Sequence, residues 1–497
     1  MEQNKYGFRA MKCRATWFCS LFACVSLTVA QEPPQRSPII TYTLLDGSYF
    51  IDECLICGRP TIMQPLRGTF DLVLVQNTPP HMEYAIRNVD FTAGPAWAGE
   101  VRITGGGTYA RFEEFAVLQD MDLAVKIKDA FTNRLAYFTN DPGSVEKPFP
   151  LINLNLTQTN GTLFQTFSLN LFAAPVREVW FSTTKALTST NRPGPTNVIS
   201  PGDLISNRGR VVKRNIDLVG RLGIMPAVPD LGLDAAQVTR RGEILFSIPS
   251  NVWSETRGLI QHGDLLSNRG VIVRRNQDLL TAFGLPAPQP DAGLDAVQVM
   301  PDGEILFSIR SNVVVKPDLT LSRGDILSDR GRVFRTNRQL LANFQPAITN
   351  RDFGLDAFHI LPSGEIWFSV EEGFTDNRLG AVQAGDLLSS LGHRVFSNRQ
   401  LVAAFAPADP EQDYGLDALF VVTDMRPPAL PPRIVSLRRI GGAIHVDWDG
   451  DGDVFQLEHA PSLSEPWLPR SPIVPDLSFD DAGDPASESG FYRLRQW

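Results

Sequence analysis

Residues 293–308, which read GLDAVQVMPDGEILFS, decide the fold of this 497-residue chain. Residues 295–300 alternate between side-chain types and are rich in strand-forming residues, and residues 304–309 form a second run of this kind. The Pro-Asp-Gly at 301–303 is a turn sequence, because Pro fixes one backbone angle and Gly tolerates a positive φ. The stretch therefore predicts a β-hairpin.

The hairpin belongs to an internal repeat with a constant period. Gly-Leu-Asp-Ala, Gly-Asp and a single Asn each recur four times, always 61 residues apart. The three motifs begin at Gly232, Gly293, Gly354 and Gly415, at Gly202, Gly263, Gly324 and Gly385, and at Asn215, Asn276, Asn337 and Asn398. Uniform spacing of this length indicates a repeat architecture, in which one supersecondary unit packs against its neighbours.

Each repeat predicts four short strands and one short helix. After the quoted hairpin, residues 324–328 and 332–335 form the third and fourth strands, with an Asp-Arg-Gly turn between them. Asn337 is expected to cap a helix over residues 338–344, because its side chain can accept from the free N–H groups of a first turn. Four strands per unit at a regular period are typical of a β-propeller blade.

The phase of the repeat predicts a closed ring. The array begins at residues 178–182 (EVWFS), which correspond to the second strand of a unit, and ends at 417–422 (DALFVV), which correspond to the first. If these two ends pair, the ring closes and no sheet edge is left exposed. We therefore expect a four-bladed, propeller-like domain over residues 177–425. The alternatives are an open β-solenoid and a ring with an extra blade from the N-terminal region.

The first 30 residues have the features of a secretory signal peptide. A basic segment precedes a 16-residue apolar run, and Thr28 and Ala30 are the small residues of a cleavage site. A transmembrane anchor is the first alternative, but it needs about 20 apolar residues. A lipoprotein signal around Cys24 is the second. We expect a secreted, extracellular or cell-surface protein with no transmembrane span in the mature chain.

The segments on either side of the repeats also predict β structure. Residues 31–176 contain stretches with period-two alternation, such as 67–75 and 83–91, and predict an N-terminal β-sandwich or barrel. Residues 426–432 (RPPALPP) form a stiff, proline-rich linker. Residues 433–497 predict a small C-terminal β-sandwich. The predicted fold class is therefore all-β.

The C-terminal segment carries the clearest likeness to known proteins. An early strand ends in Trp448, residues 455–458 (FQLE) form the next strand, Trp467 follows, and residues 491–495 (FYRLR) close the module. This pattern resembles the fibronectin type III-like modules of exported bacterial multidomain proteins, and residues 42–76 and the repeats are similar to such proteins too. The resemblance implies secretion and modular display, and it implies no activity.

Only two cysteines remain once the signal peptide is removed. Cys54 and Cys57 lie in the sequence DECLICGRP. In an exported protein such a pair is expected to form a disulfide. A redox CxxC motif is an alternative, although that motif normally lies between a strand and a helix. Half of a zinc site is another, but the sequence offers no second CxxC or HxxxH to complete it.

The repeat also places one aspartate at the start of each innermost strand. In a closed ring, four such carboxylates meet near the axis, where they could hold a cation such as Ca²⁺. The alternative is that each caps a turn by accepting hydrogen bonds from nearby N–H groups. The candidate ligands are Asp234, Asp295, Asp356 and Asp417.

A second acidic pattern lies in the C-terminal module. It matches the calcium loop of an EF-hand, with carboxylates at alternate positions, a Gly and a distal Glu. The residues are Asp447, Asp449, Asp451 and Glu458, and a looser site would use Asp453 as well. An EF-hand needs flanking helices, whereas these flanks alternate as strands. The alternative is therefore a solvated acidic turn.

Composition and motifs restrict the function without naming a reaction. The net charge of −9 argues against a general nucleic-acid binder, and there is no GxSxG, HExxH or P-loop motif. We expect an exported, non-catalytic binding or structural protein whose propeller displays or binds a ligand, such as an extracellular glycan or protein. The alternative is a propeller-based hydrolase or lyase acting on a polysaccharide or lactone. His359, Glu371 and Glu372 are its candidate residues, because they break the repeat.

Overall fold

The computed structural model is all-β, as the sequence predicts. It describes residues 39–497 except for 45–46, 79, 95–100, 113–117, 130, 142, 145–150, 192–196, 226–229, 286–290, 363, 425–427, 429, 464–466 and 483–489. The predicted signal peptide therefore lies outside the described residues, as does part of the predicted linker. Among the described residues, no helix has the length and apolar character needed to cross a membrane.

The N-terminal part is an antiparallel sheet that closes on itself. Its strands are β1 (Ile39–Leu44), β2 (Tyr49–Glu53), β3 (Ile62–Thr78), β4 (His81–Ala93), β5 (Val101–Phe112), β6 (Leu118–Lys128), β7 (Asn133–Thr139), β8 (Gly143–Ser144), β9 (Ile152–Gln158) and β10 (Thr166–Phe181). The pairing order is β1-β3-β4-β5-β6-β7-β9-β10, and β10 pairs in turn with β1. We call this part the closed sheet.

Period-two alternation fills the interior of the closed sheet. Along β6, Met121, Leu123, Val125 and Ile127 are buried, while the residues between them are largely exposed. The same alternation on the other strands produces one apolar core. Burying this apolar surface on one face and solvating the other is what holds such a sheet in register.

A single long strand joins the closed sheet to the repeats. The first part of β10 pairs with β2 and β9, and its last residues, Trp180 and Phe181, pair with strands of the repeat region. The expected domain boundary between residues 176 and 177 therefore falls inside one continuous strand. Sequence patterns do not reveal this continuity, because the alternation of β10 ends near Ala173 and Pro175 follows within the strand.

The repeats contain many short strands and four short α-helices. The first copy contains β11 (Leu187–Thr188), β12 (Val198–Ile199), β13 (Leu204–Ser206), β14 (Arg210–Lys213) and α1 (Asn215–Val219). The second contains β15 (Ala236–Thr239), β16 (Glu243–Phe246), β17 (Val252–Ser254), β18 (Gly258–Ile260), β19 (Leu265–Ser267), β20 (Val271–Arg274) and α2 (Asn276–Leu280).

The later copies follow the same order. The third contains β21 (Ala296–Val299), β22 (Ile305–Ser308), β23 (Val313–Lys316), β24 (Leu319–Leu321), β25 (Ile326–Ser328), β26 (Arg332–Arg335) and α3 (Asn337–Leu340). The fourth contains β27 (Phe358–Ile360), β28 (Ile366–Phe368), β29 (Phe374–Asp376), β30 (Gly380–Val382), β31 (Leu387–Ser389), β32 (His393–Phe396), α4 (Asn398–Val402) and the last inner strand, β33 (Leu419–Thr423). Single 3₁₀ turns occur at Arg240–Gly242, Thr281–Phe283 and Ala403–Phe405.

These strands form a closed ring of four blades. Three blades have the orders β15-β16-β19-β20, β21-β22-β25-β26 and β27-β28-β31-β32. The fourth is assembled from both ends of the array as β33-β10-β13-β14, with Trp180 opposite Phe420 and Phe181 opposite Leu419. The predicted closure is confirmed, and the open solenoid and the extra blade are excluded.

Repeated hydrogen bonds and apolar clusters hold neighbouring blades together. The cluster at the closure contains Trp180, Phe246 and Phe420, and the Trp180 and Phe420 rings lie 5.6 Å apart. On each blade a buried Ser hydroxyl donates to a Leu carbonyl of the next. These bonds are Ser182–Leu233 (2.7 Å), Ser247–Leu294 (2.7 Å), Ser308–Leu355 (3.3 Å) and Ser369–Leu416 (2.8 Å).

The repeated Asn does not cap its helix, which corrects the sequence prediction. Asn337 is the first helical residue, and the capping side chain is that of the preceding Thr336. In the first copy, the Asn215 amide instead donates to the carbonyls of Gly202 and Gly232, at 3.2 and 3.0 Å. The Asn therefore ties together the two glycine motifs of its repeat, which explains why it keeps their period.

The C-terminal part is a small sandwich, as predicted. Its strands are β34 (Arg433–Ile440), β35 (Ala443–Asp449), β36 (Phe455–Ala460), β37 (Leu468–Pro469), β38 (Ser478–Asp481) and β39 (Phe491–Gln496), in sheets β34-β35-β38 and β37-β36-β39. Trp448 and Phe455 lie in the apolar core. An ion pair between Lys213 and Asp476 (2.7 Å) joins this module to the propeller.

Candidate functional site

Each blade delivers one aspartate to the axis through a glycine turn. The four glycines of Gly-Leu-Asp-Ala all have φ between +74° and +81°, a region that side chains with a Cβ rarely adopt. A Cβ on Gly354 would also lie 2.4 Å from the Glu371 side chain. Glycine is therefore required here both by the backbone and by the close approach of the neighbouring strand.

The four predicted aspartates converge in the closed ring. Oxygen atoms of Asp295, Asp356 and Glu371 all lie within 4.8 Å of one another. Asp234 Oδ2 lies 2.9 Å from Arg310 Nη1, and Asp417 interacts electrostatically with the other three aspartates. We call these four aspartates, together with Glu371 and Arg310, the axial site.

The axial aspartates do not cap turns. Burial and neighbouring charges are the causes of their pKa shifts, and no backbone N–H of the described residues is among their hydrogen-bond donors. The capping role belongs to another repeated residue, two positions before the glycine. Asp230 accepts hydrogen bonds from the N–H groups of Gly202 and Gly232, and Asp413 accepts from Gly385 and Gly415 in the same way.

Two members of the axial site differ between the copies. Arg310 and Glu371 occupy the position directly after the second strand, where the other copies have Pro249 and Thr184. The predicted Glu371 is therefore part of the site. Arg310 was missed, although comparing the copies position by position would have found it.

Burial raises the pKa values of the axial carboxyls. It raises the pKa of Asp234 to about 6, even though Arg310 acts in the opposite direction. It also raises the pKa of Asp356 to about 7, and repulsion from Glu371 and Asp234 adds to the effect. A carboxyl group with a pKa this high exchanges its proton near neutral pH, so the charge of the site depends on pH in that range.

The pKa values of the remaining carboxyls are raised as well. Burial raises the pKa of Asp295 and Asp417 well above the usual range, and repulsion from Asp356 adds to both shifts. Burial raises the pKa of Glu371 as well, whereas Arg323 lowers it. Neighbouring ionised carboxylates repel one another, and a proton or a cation among them relieves this repulsion.

Arginines compensate part of this charge. Burial opposes the positive charge of Arg310, but the aspartates outweigh it, Asp234 first, and raise the pKa of its guanidinium. Arg323 bridges Glu371 and Glu372, and Arg351 pairs with Glu372 from the other side. Glu372 is thus held at the edge of the axial site by two arginines and is not part of the carboxylate cluster.

His359 lies deeper along the axis. The residues three positions after each axial aspartate are Gln237, Gln298, His359 and Phe420, and all four are buried. The His359 ring packs edge-on against Phe420, at 5.6 Å. Burial lowers the pKa of His359 to about 4. Of the three residues that break the repeat, only Glu371 therefore belongs to the carboxylate cluster.

The structure does not assemble the EF-hand-like pattern. Glu458 lies on β36 and accepts from Arg493 at 2.6 Å, while Asp447 pairs with Arg438 at 2.7 Å. Burial raises the pKa of Asp453 to about 6, and Asp449 accepts a hydrogen bond from the N–H of the adjacent Gly450. Asp451 faces a shallow pocket with Asp449. Among the described residues, the one cluster with metal-ligand spacing is that of Asp295, Asp356 and Glu371.

Cys54 and Cys57 form a local link between two strands. The structure places them as a disulfide pair with a Cα–Cα distance of 5.5 Å. They follow β2 and precede β3, at one end of the closed sheet, and Leu55 next to them donates its N–H to the Leu163 carbonyl at 2.9 Å. The pair thus lies outside both the ring and the axial site.

The axial site can therefore bind a cation through oxygen atoms or hold exchangeable protons. Oxygen ligands are those that calcium prefers, and a bound ion would remove the mutual repulsion of the carboxylates.

No protein-family model matches the chain, and the search of curated proteins found no match to it either.

Proposed function

We propose that this chain is an exported, non-catalytic binding protein whose propeller is the ligand-binding or display platform, and that the axial site binds calcium. The convergence of Asp295, Asp356 and Glu371 within 4.8 Å is the observation that carries this proposal. Its partners would be extracellular glycans or proteins. Export is supported by the N-terminal sequence pattern, and display by the closed ring of four blades.

The state of the carboxylates favours a cation. Oε2 of Glu371 accepts from Arg323, whereas Oε1 is buried and accepts no hydrogen bond from the described residues. A proton shared with a neighbouring carboxyl, a water molecule or a cation would satisfy that atom. A hard divalent ion binds oxygen ligands of this type, and calcium tolerates irregular coordination better than magnesium does.

Calorimetric titration of the purified mature chain with calcium tests the proposal. We expect binding at pH 7.5 that weakens as the pH falls towards 5.5, because protons compete for the same oxygens. Glu371→Gln should weaken calcium binding by about tenfold or more, since affinity depends on the number of charged ligands. Glu372→Gln is the matched control, because it changes the adjacent carboxylate outside the cluster.

Two results would contradict the calcium site. One is the absence of both binding heat and any rise in melting temperature with millimolar calcium. The other is equal loss of affinity in both variants, which would indicate a diffuse effect of negative charge. Pull-down of extracellular polysaccharides and surface proteins by the calcium-loaded chain then tests the display role.

A hydrolase or lyase is the second candidate, and the protonation state of Asp356 favours it. A carboxyl with a pKa of about 7 beside other carboxyls is suited to general acid catalysis. If this candidate holds, the protein cleaves an extracellular polysaccharide or opens a lactone, and Asp356→Asn abolishes this activity. Activity that persists in Asp356→Asn would exclude it.

A further inference from the structure

A second cavity lies away from the axis, between the closed sheet and the propeller. Its volume is about 800 Å³, within the range of ligand sites. One wall is the outer face of β3, β4 and β5, and the other is formed by β32, the turn after β29 and the turn after β13. We call it the lateral cleft.

The closed-sheet wall offers hydroxyl groups and carboxylates that already have partners. Thr69, Asp90 and Thr104 lie side by side on neighbouring strands, at positions that alternate with the buried core. Asp90 accepts two hydrogen bonds from Arg102, at 3.0 and 3.1 Å. Asp71 also faces the cleft and accepts from Thr41 at 2.7 Å. Asp90 is therefore paired within the wall, whereas the charge of Asp71 also acts on Arg208 of the opposite wall.

The propeller wall is basic. Three arginines line the cleft, Arg208 in the turn after β13, Arg378 in the turn after β29 and Arg394 on β32. Arg394 pairs with the buried Asp386 at 2.8 Å, but Arg102, Arg208 and Arg378 still outnumber the two aspartates of the lining in a chain whose net charge is −9. A local excess of guanidinium groups on an acidic protein attracts anionic ligands to that place.

His393 supplies an independent sign of a missing partner. Its side chain lines the cleft and is 8% exposed, yet neither ring nitrogen has a hydrogen-bond partner among the described residues. Burial, reinforced by Arg67 and Arg378, lowers the pKa of His393 to about 3, so the ring is neutral at physiological pH. A neutral imidazole offers one donor and one acceptor, and buried polar atoms of this kind are normally satisfied.

The fourth copy departs from the others where it faces this cleft. The outer strands read RVVK, VIVR and RVFR in β14, β20 and β26, but HRVF in β32. Arg394 thus stands where the other copies have Val or Ile, and Phe396 stands where they have Lys or Arg. The repeat alone does not require these residues, so we attribute them to what the blade β27-β28-β31-β32 faces, which is the lateral cleft.

We propose that the lateral cleft binds an acidic oligosaccharide, a short chain of uronic-acid units. The arginines match its carboxylates, and the threonine hydroxyls with Asn88, Asn207 and Gln400 match its hydroxyl groups. The half-buried Phe396 offers an apolar surface for a sugar ring. This site is separate from the axial site, and the inference does not depend on calcium.

Calorimetric titration in EDTA with a galacturonic acid tetramer tests this inference, because EDTA removes any contribution of the axial site. We expect the tetramer to bind at least about tenfold more tightly than a neutral galactose tetramer, galacturonic acid monomer or sulfate. Sulfate or monomer binding as tightly as the tetramer would indicate a simple anion site and overturn the saccharide assignment. Equal binding of the neutral tetramer would overturn the role of the arginines.

The repeat provides a matched control variant. Arg208 and Arg269 occupy equivalent positions in their copies, and each donates to a backbone carbonyl, that of Arg177 and that of Arg241. Only Arg208 lines the cleft. Arg208→Ala should weaken tetramer binding about tenfold, whereas Arg269→Ala should leave it unchanged. Equal effects of the two variants would contradict the proposal.

A second variant tests the buried imidazole. His393→Phe keeps a planar ring of similar size and removes both nitrogens, so we expect a folded protein with at least about fivefold weaker tetramer binding. Unchanged affinity in this variant, with an unchanged melting temperature, would show that His393 does not contact the ligand.

Discussion

Removing Arg310 should destabilise the propeller in a way that depends on pH. The Arg310 guanidinium lies 2.9 Å from Asp234, whose side chain is only 5% exposed. The pKa of Asp234 is already raised to about 6 by burial, although Arg310 counteracts the shift. Arg310→Ala leaves this carboxylate without its counter-ion whenever it is ionised.

The sign of the effect follows from the direction of the pKa shift. Because the pKa of Asp234 is higher in the folded state than in the unfolded chain, the folded state holds more protons between pH 4 and pH 6. The free energy of unfolding therefore falls as the pH rises through this window. The shift from 3.8 to about 6 corresponds to a loss of about 3 kcal/mol above it.

Arg310→Ala lowers the free energy of unfolding further only at pH values where Asp234 is ionised. Breaking a buried ion pair costs about 3–5 kcal/mol, and the partial exposure of Arg310 reduces this to about 1–3 kcal/mol at pH 8. At pH 5, Asp234 is mostly protonated, so we expect a cost below about 0.5 kcal/mol. The pKa values of the other axial aspartates are raised as well. Their ionisation therefore also makes the cost of Arg310→Ala larger as the pH rises.

Urea unfolding followed by tryptophan fluorescence, in EDTA at pH 5, 6.5 and 8, measures the effect. Arg310→Lys keeps the charge and should recover part of the stability at pH 8. Arg335→Ala is the control for removing an arginine, because Arg335 donates only to the Phe334 carbonyl in the described structure. A cost for Arg310→Ala that is equal at all three pH values, or largest at pH 5, would refute the reasoning.

Three further substitutions test the ring and the axial site. Trp180→Ala should lower the free energy of unfolding in urea by about 3–5 kcal/mol, because the side chain is fully buried and packs on Phe420 at the closure. A cost below about 1 kcal/mol would contradict closure of the ring. Ser247→Ala should cost about 1 kcal/mol for one inter-blade hydrogen bond, and an unchanged midpoint would show that the bond contributes nothing. Gly354→Ala should lower the melting temperature and weaken calcium binding in calorimetry, because its Cβ would displace Glu371; unchanged calcium affinity would argue against a role for Glu371.

The ring could be predicted from the sequence because closure is a matter of strand order. Each copy contains its own turn signals, and the array begins and ends within one hairpin, so a complete set of blades needs the two ends to pair. Residues 178–182 and 417–422 carry that information without any knowledge of side-chain packing. The register of Trp180 opposite Phe420 agrees with it.

The residues that form the axial site and the lateral cleft were harder to predict, because these sites depend on contacts between distant segments. Arg310 reaches Asp234 across a blade boundary, 76 residues away in the chain. His393 and Arg394 face the closed sheet, which nothing in the repeat pattern brings near them. The helix prediction failed for a related reason, since Asn337 has a tertiary partner that outweighs its preference for the capping position.

Within a repeat, residues that all copies share are expected to serve the fold, and the three sets of repeated aspartates test this rule. Asp203 follows it, because it accepts from the N–H groups of Ser200 and Asn215 and so holds its loop in place. The axial aspartates do not, since Asp230 already holds their turn and their own carboxyls are buried beside one another. Burying repelling carboxyls in every copy costs stability. Their presence in all four copies therefore supports the proposal that the assembled ring binds a cation at its axis.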